Sequence, residues 1–262
     1  MVEASDVRCT RTAQRTGDEE RSPLPTLVLP RRGVFRYQSD ARTIVADANT
    51  VLLFHPDEPY RVTHPTDDGD DCTALRFDRD AVTDALGAAS ERAGAWFLDA
   101  SVHRGVHRVA SAVLAAADDL ERDERALQIL AVVGRAALPA PAARDAARMD
   151  AVRERLSASV GEAVSLSALA RDAGLSAFHL ARRFRARTGT SLHQYRLALR
   201  LGVAHARLRD GADDVTRLAL DLGFSSPAHF SAAYRRAYGC RPSDARGAPT
   251  VPAYRRRLPG GR

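Results

Sequence analysis

The feature that constrains this chain most is a tandem repeat in its C-terminal half. Residues 165–195 read SLSALARDAGLSAFHLARRFRARTGTSLHQY, and residues 215–245 read VTRLALDLGFSSPAHFSAAYRRAYGCRPSDA. The two copies align at an offset of 49 residues before a tight turn and 50 residues after it. A self-similar unit of this length indicates a duplicated supersecondary element. This half of the chain is therefore expected to fold as two copies of one small motif.

Each copy of the repeat predicts two helices joined by a glycine turn. Gly174 permits the left-handed backbone that ends the first helix. Ser176 is suited to cap the second helix, and Ser225 or Ser226 takes that place in the second copy. Two helices joined in this way form a helix-turn-helix, whose second helix enters the major groove of DNA. One such pattern is a weak signal, whereas two in tandem within a basic segment are a specific one.

The outward face of each second helix follows from the rotation of about 100° per residue in an α-helix. Leu180 and Phe184 are expected to face inward in the first copy, as are Phe230 and Tyr234 in the second, so the opposite faces are predicted to contact DNA. The predicted base-reading residues are Phe178, His179 and Arg182 in the first copy and Ala228, His229 and Ala232 in the second. Phosphate contacts are predicted for Arg185, Arg196, Arg235 and Arg236.

The two predicted reading faces are not equivalent. Arg182 can make the bidentate contact to guanine, whereas its counterpart Ala232 can at most touch a thymine methyl group. The first copy is therefore predicted to read sequence, and the second mostly to hold the DNA backbone through Arg235 and Arg236. The alternative for these arginines is a helix face that is only solvated. For Arg196 this alternative fits as well as a phosphate contact does.

A helix between the two copies is predicted from Leu192 to Leu208. It carries two apolar stripes on opposite sides, one through Tyr195 and Leu199 and the other through Leu201 and Leu208. A helix that is apolar on two sides must be packed on two sides, so it is expected to be a rigid connector between two helical subdomains. Such a helix spans about 25 Å, which with its flanking turns can hold the two reading helices about one DNA turn apart.

Residues 150–247 resemble the DNA-binding domain of the AraC/XylS family of bacterial transcription regulators. The residues that carry the resemblance are Leu169, Ala170, Gly174, Leu175, Ser176, Leu180, Arg182, Phe184, Gly189, Thr190, Ser191 and Tyr195 in the first half, and Leu218, Ala219, Gly223, Phe224, Phe230, Ser231, Tyr234, Arg235, Gly239, Pro242 and Arg246 in the second. The resemblance implies a sequence-specific regulator whose partners are promoter or operator double-stranded DNA and RNA polymerase. Three positions depart from the family pattern: Leu192 stands where proline is frequent, Ala232 where arginine is frequent, and Ala245 where tyrosine is frequent.

The charge of the chain is divided unevenly between its halves. Up to Asp150 there are 19 arginines against 25 acidic residues, and beyond Asp150 there are 20 arginines against 8 acidic residues. A polyanion is therefore expected to bind the C-terminal half.

The N-terminal half predicts a small β domain followed by helices. Residues 1–25 carry charge without an apolar stretch, so they are expected to be a disordered tail and not a secretory signal. Five short strand-like runs follow, at Gly33–Tyr37, Thr43–Ala46, Val51–Phe54, Tyr60–Thr63 and Thr73–Phe77. Strands followed by helices predict an α+β chain, with an antiparallel sheet beside a helical hairpin and then the all-α DNA-binding domain. The family resemblance implies a cupin-like sensor at 26–100, and five strands leave open a truncated barrel.

The remaining segments connect these two domains. A helical pair at 101–138 either covers the sheet or forms a homodimer seam, and its apolar stripes, which include Leu127 and Leu130, fit both. A linker is predicted at 139–147, because Pro139 and Pro141 break the helix. The DNA-binding domain is placed at 148–247, and a basic, flexible tail that binds phosphate without sequence preference at 248–262.

The sensor domain offers a candidate effector pocket but a poor metal site. The candidate pocket residues are Tyr37, His55, Tyr60 and His64, and a small molecule is the candidate effector. His55, His64 and Cys72 are the one plausible metal set, but the His-x-His pair of metal-binding cupins is missing, so neither a metal nor another cofactor is predicted. No catalytic residues can be singled out, so an enzyme is not predicted. A cupin-type enzyme and a non-specific DNA-binding protein are the alternatives.

The cysteines and the hydropathy pattern bear on location. Cys9, Cys72 and Cys240 form no CxxC pair and predict a reducing compartment, so the protein is expected in the cytoplasm with the nucleoid. No apolar run reaches the roughly 18 residues that a membrane span needs, so no membrane partner is expected.

Overall fold

The computed structural model describes residues 2–9, 17–40, 42–67, 69–98, 100–135, 143–212, 214–245 and 254–255. The described strands are β1 (Glu3–Cys9), β2 (Thr26–Ser39), β3 (Arg42–Asp47), β4 (Thr50–Phe54), β5 (Arg61–Thr63), β6 (Asp70–Arg76), β7 (Gly94–Phe97) and β8 (Tyr254–Arg255). The described helices are α1 (Arg79–Leu86), α2 (Ala100–Leu114), α3 (Asp119–Arg135), α4 (Ala143–Ala158), α5 (Leu166–Asp172), α6 (Ala177–Thr188), α7 (Leu192–Arg209), α8 (Val215–Asp221) and α9 (Pro227–Tyr238). A β-rich N-terminal half followed by a helical C-terminal half confirms the α+β class.

The long strand β2 organises the sheet. Its first part pairs antiparallel with β4 and β6, and its second part pairs antiparallel with β3 and β5. Along the main path the strand order is β7-β4-β2-β6-β1-β8. A register shift between Pro30 and Arg32 marks a bulge in β2, which lets one strand serve both parts of the sheet. The five predicted runs all lie in strands, and β1, β7 and β8 are additional ones among the described residues.

The prediction that residues 1–25 form a disordered tail is wrong for much of that segment. β1 pairs with β6 from Glu3↔Arg76 to Cys9↔Asp70, and Val2 and Cys9 are buried. Residues 10–16 lie outside the described part of the chain. The sequence does not reveal β1 because backbone hydrogen bonds and ion pairs largely hold it, and a hydropathy pattern registers neither.

Two further segment boundaries differ from the sequence predictions. Helix α4 begins at Ala143, so the predicted linker at 139–147 is too long, and its residues 139–142 lie outside the described part. Within the predicted flexible tail, Tyr254 and Arg255 form β8, which pairs in parallel with β1. The rest of that tail also lies outside the described residues.

The helical pair covers one face of the sheet. Val106 of α2 and Ile129 of α3 belong to the same buried cluster as Leu27 and Leu53 of the sheet. Of the two predicted roles for this pair, the structure shows the covering of the sheet. Leu127, which was expected on the buried stripe of α3, is instead 46% exposed, and Ile129 takes its place.

The repeat folds as the two helix-turn-helix units that its sequence predicts. Gly174 and Gly223 have positive φ angles of 62° and 72° in the two turns. Ser176 accepts a hydrogen bond from the backbone of α6, and Ser226, not Ser225, does the same for α9. Each unit surrounds its own apolar core, and α7 contributes to both cores, as its two apolar stripes predict.

Helix α7 is packed on a third side, against the N-terminal domain. At Gly202 a Cβ atom would lie 2.2 Å from the carbonyl oxygen of Arg31 in β2, so the helix and the strand approach too closely for any side chain there. At the rim, Arg36 of β2 forms a bidentate ion pair with Glu154 of α4, with distances of 2.6 and 2.7 Å. The DNA-binding half is therefore bound directly to the sheet.

A buried polar network completes this junction. Arg153 of α4 is 1% exposed and donates through Nε to the hydroxyl of Tyr195 at 2.6 Å and through Nη2 to the carbonyl of Val45 at 2.9 Å. Nη2 also lies 3.2 Å from Oδ2 of Asp47, which accepts the hydroxyl hydrogen of Tyr195. Burial raises the pKa of the Tyr195 hydroxyl well above its usual range, so this group stays protonated and donates.

Removing Asp47 should destabilise the full chain strongly. In Asp47→Ala, the buried guanidinium of Arg153 loses its fully buried counter-charge, a change that typically costs about 3–5 kcal/mol. The free energy of unfolding, measured by urea denaturation, should fall by about that amount.

Asp150→Ala provides the control, because its carboxylate also pairs with Arg153, at 2.9 Å, but is 17% exposed in its side chain. It should cost clearly less. Equal losses in the two variants would contradict the central role of Asp47.

Candidate nucleic-acid interface

The predicted reading face of α6 is open to solvent. Phe178 is 73% exposed, and His179, Arg182 and Arg185 are also exposed. On the opposite side of the helix, Leu180 and Phe184 are fully buried, as predicted. The face assignment made from the helical period therefore holds.

Helix α9 presents a corresponding surface whose side chains offer fewer groups that could contact bases. Ala228, Ala232 and Arg235 are exposed and share a shallow depression with Arg241 and Ser243. His229 is exposed beside them, and Phe230 and Tyr234 are fully buried. Arg236 is exposed as well, but it borders the cavity between the two domains and so lies toward the edge of this surface.

Matching serine–histidine pairs hold the start of both reading helices. The hydroxyl of Ser176 lies 3.1 Å from Nδ1 of His179, and that of Ser225 lies 3.3 Å from Nδ1 of His229. In each pair the serine hydroxyl contacts Nδ1 of the imidazole, so the serine does not occupy the second ring nitrogen, Nε2. The two copies thus present one imidazole in an equivalent position at the helix N-terminus, where recognition helices contact bases.

Arg196 is the weakest of the predicted phosphate contacts. It is half-buried, and its Nε and Nη2 atoms are buried without a hydrogen-bond partner among the described residues. Burial lowers the pKa of its guanidinium. Neighbouring Arg200 is held by a hydrogen bond to the carbonyl of Val160 at 3.0 Å. This edge of α7 is therefore less accessible than the surfaces of α6 and α9.

The four residues of the candidate effector pocket do not converge on one space. A cavity of about 470 Å³ lies against the sheet, and Tyr60 lines it together with Phe35, Phe54 and Val62. Tyr37 is fully buried and stacks on Tyr60 with ring centroids 5.1 Å apart.

The two histidines of that set lie elsewhere. His55 lies in a turn and accepts a hydrogen bond from the backbone of Asp57 at 3.2 Å. His64 is buried and bound to Asp70. An effector in the cavity would therefore meet Tyr60 and an apolar wall, and neither His55 nor His64 lines it.

A second, smaller cavity lies between the domains, and the sequence offers little signal for it. It measures about 100 Å³ and is lined by His103 and His107 of α2, by His205 of α7 and by Arg31. The Nε2 atoms of His103 and His107 are 3.1 Å apart. The His-x-x-x-His spacing in α2 could have indicated that these two rings share a face, but not that a third histidine faces them from the other domain.

Two family models match this chain. The model described as "Helix-turn-helix domain" matches residues 169–248, and the model described as "AraC-like ligand binding domain" matches residues 18–130. The chain is also 32% identical over 87 residues to regulatory protein SoxS of Salmonella typhimurium, and the match covers 33% of this chain and 81% of SoxS. The chain belongs to the AraC family. The second family model begins inside the segment that was expected to be disordered, in agreement with the observed fold.

Other relatives match over a smaller share of their length. The transcriptional activator RhaS of Escherichia fergusonii is 39% identical over 85 residues, which are 32% of this chain and 31% of RhaS. The chain thus spans about a third of this relative. Among solved structures, the match to ToxT of Vibrio cholerae O395 covers 93% of this chain and 96% of ToxT, with 10% identity and a TM-score of 0.37.

Within the described part of this AraC-family chain, no helix combines the length and the apolar character needed to cross a bilayer.

The interdomain histidines should make stability depend on pH. Burial lowers the pKa of His103 to about 4 and that of His205 to about 3, and Arg104 and Arg209 respectively add to the effect. The unfolded chain binds protons at these rings below about pH 6.5, whereas the folded chain does not. Their contribution is therefore complete above about pH 6.5 and is lost as the pH falls toward 4, by roughly 3 kcal/mol for each ring.

We expect the double variant His103→Asn, His205→Gln to flatten this loss, as measured by urea unfolding between about pH 7 and about pH 4.5. His193→Gln, at an exposed histidine of α7, is the control and should keep the wild-type profile. An unchanged slope in the double variant would contradict the assignment.

Proposed function

We propose that this chain is a sequence-specific, DNA-binding transcription regulator that reads its operator through α6 and α9. The observation that carries the proposal is the pair of exposed faces on these helices, one in each copy of the motif, with equivalent N-terminal caps and a shared brace in α7. Buried residues lie on the opposite sides of both helices, so the same faces are free in the folded chain. The charge imbalance supports DNA as the polyanion that they meet.

The two faces are proposed to divide the work. Arg182, Phe178 and His179 on α6 would contact base edges, because they combine a bidentate donor, an apolar ring and an imidazole. On α9, Ala228 and Ala232 can offer only methyl contacts and His229 is the one predicted polar base contact, so Arg235 and Arg236 would mostly hold phosphate there. Sequence preference is then expected to be concentrated in one half of the operator.

The N-terminal domain is proposed to regulate this DNA binding. The support is the direct packing of α4 and α7 on the sheet, which puts the sensor in contact with the brace between the two reading units. A small molecule in the cavity beside Tyr60 is the proposed effector, and RNA polymerase and a second copy of the chain are proposed as protein partners. Double-stranded DNA as the partner would place the protein with the nucleoid in the cytoplasm. No catalytic role is proposed.

Competition with random DNA tests the function itself. Genome-wide mapping of bound sites would supply an operator, and the full chain should retain it in the presence of excess random duplex. Specific binding of this type is typically about 10³–10⁷-fold tighter than non-specific binding. Loss of the operator to an equal weight of random DNA would show charge-driven binding and would overturn the proposal.

Arg182→Ala should relax specificity at one position of the operator. Losing a bidentate contact to guanine should remove about 1–3 kcal/mol of discrimination at that base pair and little at the others. The measurement is a set of binding titrations against single-base operator variants. Arg171→Ala, at an exposed arginine of α5 away from the reading face, is the matched control. A uniform loss over all operator variants would contradict a base contact.

Arg235→Ala should behave in the opposite way. Losing a phosphate contact should weaken binding to all sequences alike and should reduce the slope of log K against log salt by about 1. The same titrations at several salt concentrations measure this. A change of preference at a single base pair would instead assign Arg235 to base reading.

Regulation by the N-terminal domain is tested by promoter output. Residues 143–262 and the full chain should differ in reporter activity under at least one growth condition, because the sensor contacts the brace. Identical output under all conditions tested would remove the regulatory role from the N-terminal domain while leaving the DNA-binding proposal intact.

A further inference from the structure

A cluster of metal-binding side chains lies inside the N-terminal domain, away from the DNA-binding surface. Cys9, His64 and Asp70 each place one donor atom within 4.8 Å of the others, and all three residues are buried. They come from three separate places, namely the end of β1, the residue after β5 and the start of β6. The donors therefore meet because of the fold and not because of their spacing in sequence.

Backbone pairing brings Cys9 and Asp70 together. They are directly opposite one another in the register between β1 and β6, so their side chains share a face of the sheet. On the other side of Asp70, β2 contributes Gly33, whose φ is +81°. A Cβ atom there would lie 2.1 Å from the carbonyl oxygen of Gly69 and 2.9 Å from the Cα atom of Asp70. Glycine at position 33 thus permits the close approach that sets the position of Asp70.

A further potential donor, Cys72, contacts Asp70 but is not one of the three residues whose donor atoms all lie within 4.8 Å of one another. Cys72 follows Asp70 by two residues in β6, so the two side chains point to the same face, and the Sγ atom of Cys72 lies 3.0 Å from Oδ2 of Asp70. The other carboxylate oxygen of Asp70 contacts Nε2 of His64. Asp70 therefore touches a thiol on one side and an imidazole on the other.

The chemistry of these donors favours one class of ion. Two thiolates, one imidazole and one carboxylate form a set that suits Zn²⁺ and related borderline ions with tetrahedral preference, whereas Mg²⁺ and Ca²⁺ prefer oxygen ligands. A thiolate next to a carboxylate is repelled in a buried place, and a divalent cation would remove that repulsion.

An approach path is available from the large cavity of the sheet. Cys9, Asp70 and Cys72 all line the cavity of about 470 Å³ that also contains Tyr60. The cavity is lined by Asp18, Glu19, Glu20 and Asp70 and by Arg21 and Arg76, so acidic side chains outnumber basic ones and cations are favoured over anions. An ion entering the cavity would thus reach three of the four donors on its wall.

We propose that Cys9, His64 and Asp70, completed by Cys72, form a binding site for a zinc-type divalent cation. The site differs from the metal set that the sequence indicated, since His55 is not part of it and Cys9 and Asp70 are. The bound ion would join β1 to β6 and to the residue after β5. The proposal is independent of DNA recognition and goes beyond it.

Metal content of the purified full chain is the first test. Protein stripped with a chelator and then dialysed against Zn²⁺ should retain about one ion per chain, as measured by inductively coupled plasma mass spectrometry. With Co²⁺ in place of Zn²⁺, the absorption spectrum should show thiolate-to-cobalt charge transfer and the visible bands of a tetrahedral site. Wild-type protein that keeps no metal, or whose Co²⁺ spectrum lacks the thiolate band, would overturn the proposal.

Cysteine variants localise the ion, because the chain has three cysteines and one of them serves as a control. Cys9→Ser and Cys72→Ser should each weaken Zn²⁺ binding by more than the roughly 10–100-fold that changes outside the ligand shell cause. Cys240→Ser, in the helical domain, should bind as the wild type does. Equal weakening in Cys240→Ser would contradict the assignment.

His107→Gln separates this site from the histidine pair of α2. If the ion binds where we propose, His107→Gln keeps the metal and the thiolate band. Retention in Cys9→Ser combined with loss in His107→Gln would place the ion at the interdomain histidines and would overturn the proposal. Should Cys9→Ser fail to fold, the wild-type Co²⁺ spectrum compared with that of Cys72→Ser decides, because one thiolate fewer must weaken the charge-transfer band.

Discussion

The structure depends most on one buried cation, the guanidinium of Arg153. It belongs to the first helix of the DNA-binding half, yet two of its acceptors, Asp47 and the carbonyl of Val45, belong to the sheet. Its ring neighbour Phe97 lies 4.7 Å away and also belongs to the N-terminal domain. A charge this deeply buried is tolerated only with its full set of partners, so the two domains must be in one relative arrangement for Arg153 to be satisfied.

This requirement links recognition to the rest of the chain. Tyr195 joins the network from α7, and the side chain of Asn49 donates to the backbone carbonyl of Tyr195 at 3.2 Å. Helix α7 in turn supplies residues to the cores of both helix-turn-helix units. Any displacement of the turn that carries Asp47 and Asn49 would therefore act on the one helix that sets the spacing of the two reading faces. A polar contact of this kind between the domains is a physical route by which a sensor domain can alter DNA binding.

The helical half could be predicted because its signals are local. Ser176 and Gly174 act on the residues next to them, and the helical period decides that Phe178 faces away from Leu180. The duplication strengthened each of these inferences, since the second copy repeated the same turn and cap. The third contact surface of α7 could not be predicted from the sequence, because Gly202 carries no apolar side chain that would indicate it.

The N-terminal half was predicted less completely because its signals are not local. The runs in β2 to β6 lie between turn residues and could be recognised in that way, but β1 is paired largely through its backbone and through charged side chains such as Asp6. The same cause hid the cysteine cluster, since Cys9 was assigned to a tail. The sequence indicates His64 and Cys72 as potential ligands, but nothing in it marks Asp70 as a third one. The register of strand pairing brings these donor side chains together, and the sequence alone does not reveal that register here.

The position of β1 has a consequence for synthesis of the chain. β1 leaves the ribosome before the other described elements, but Asp6 pairs with Arg209, and Arg8 with Asp210, which is 202 residues later in the sequence. At translation rates of about 5–20 residues per second, Arg8 waits roughly 10–40 s for its partner. During that interval the sheet can form its internal pairs, whereas its outer surface stays uncovered until α7 has emerged. The ion pairs of β1 with the end of α7 thus form late, although β1 is made before all the other described elements.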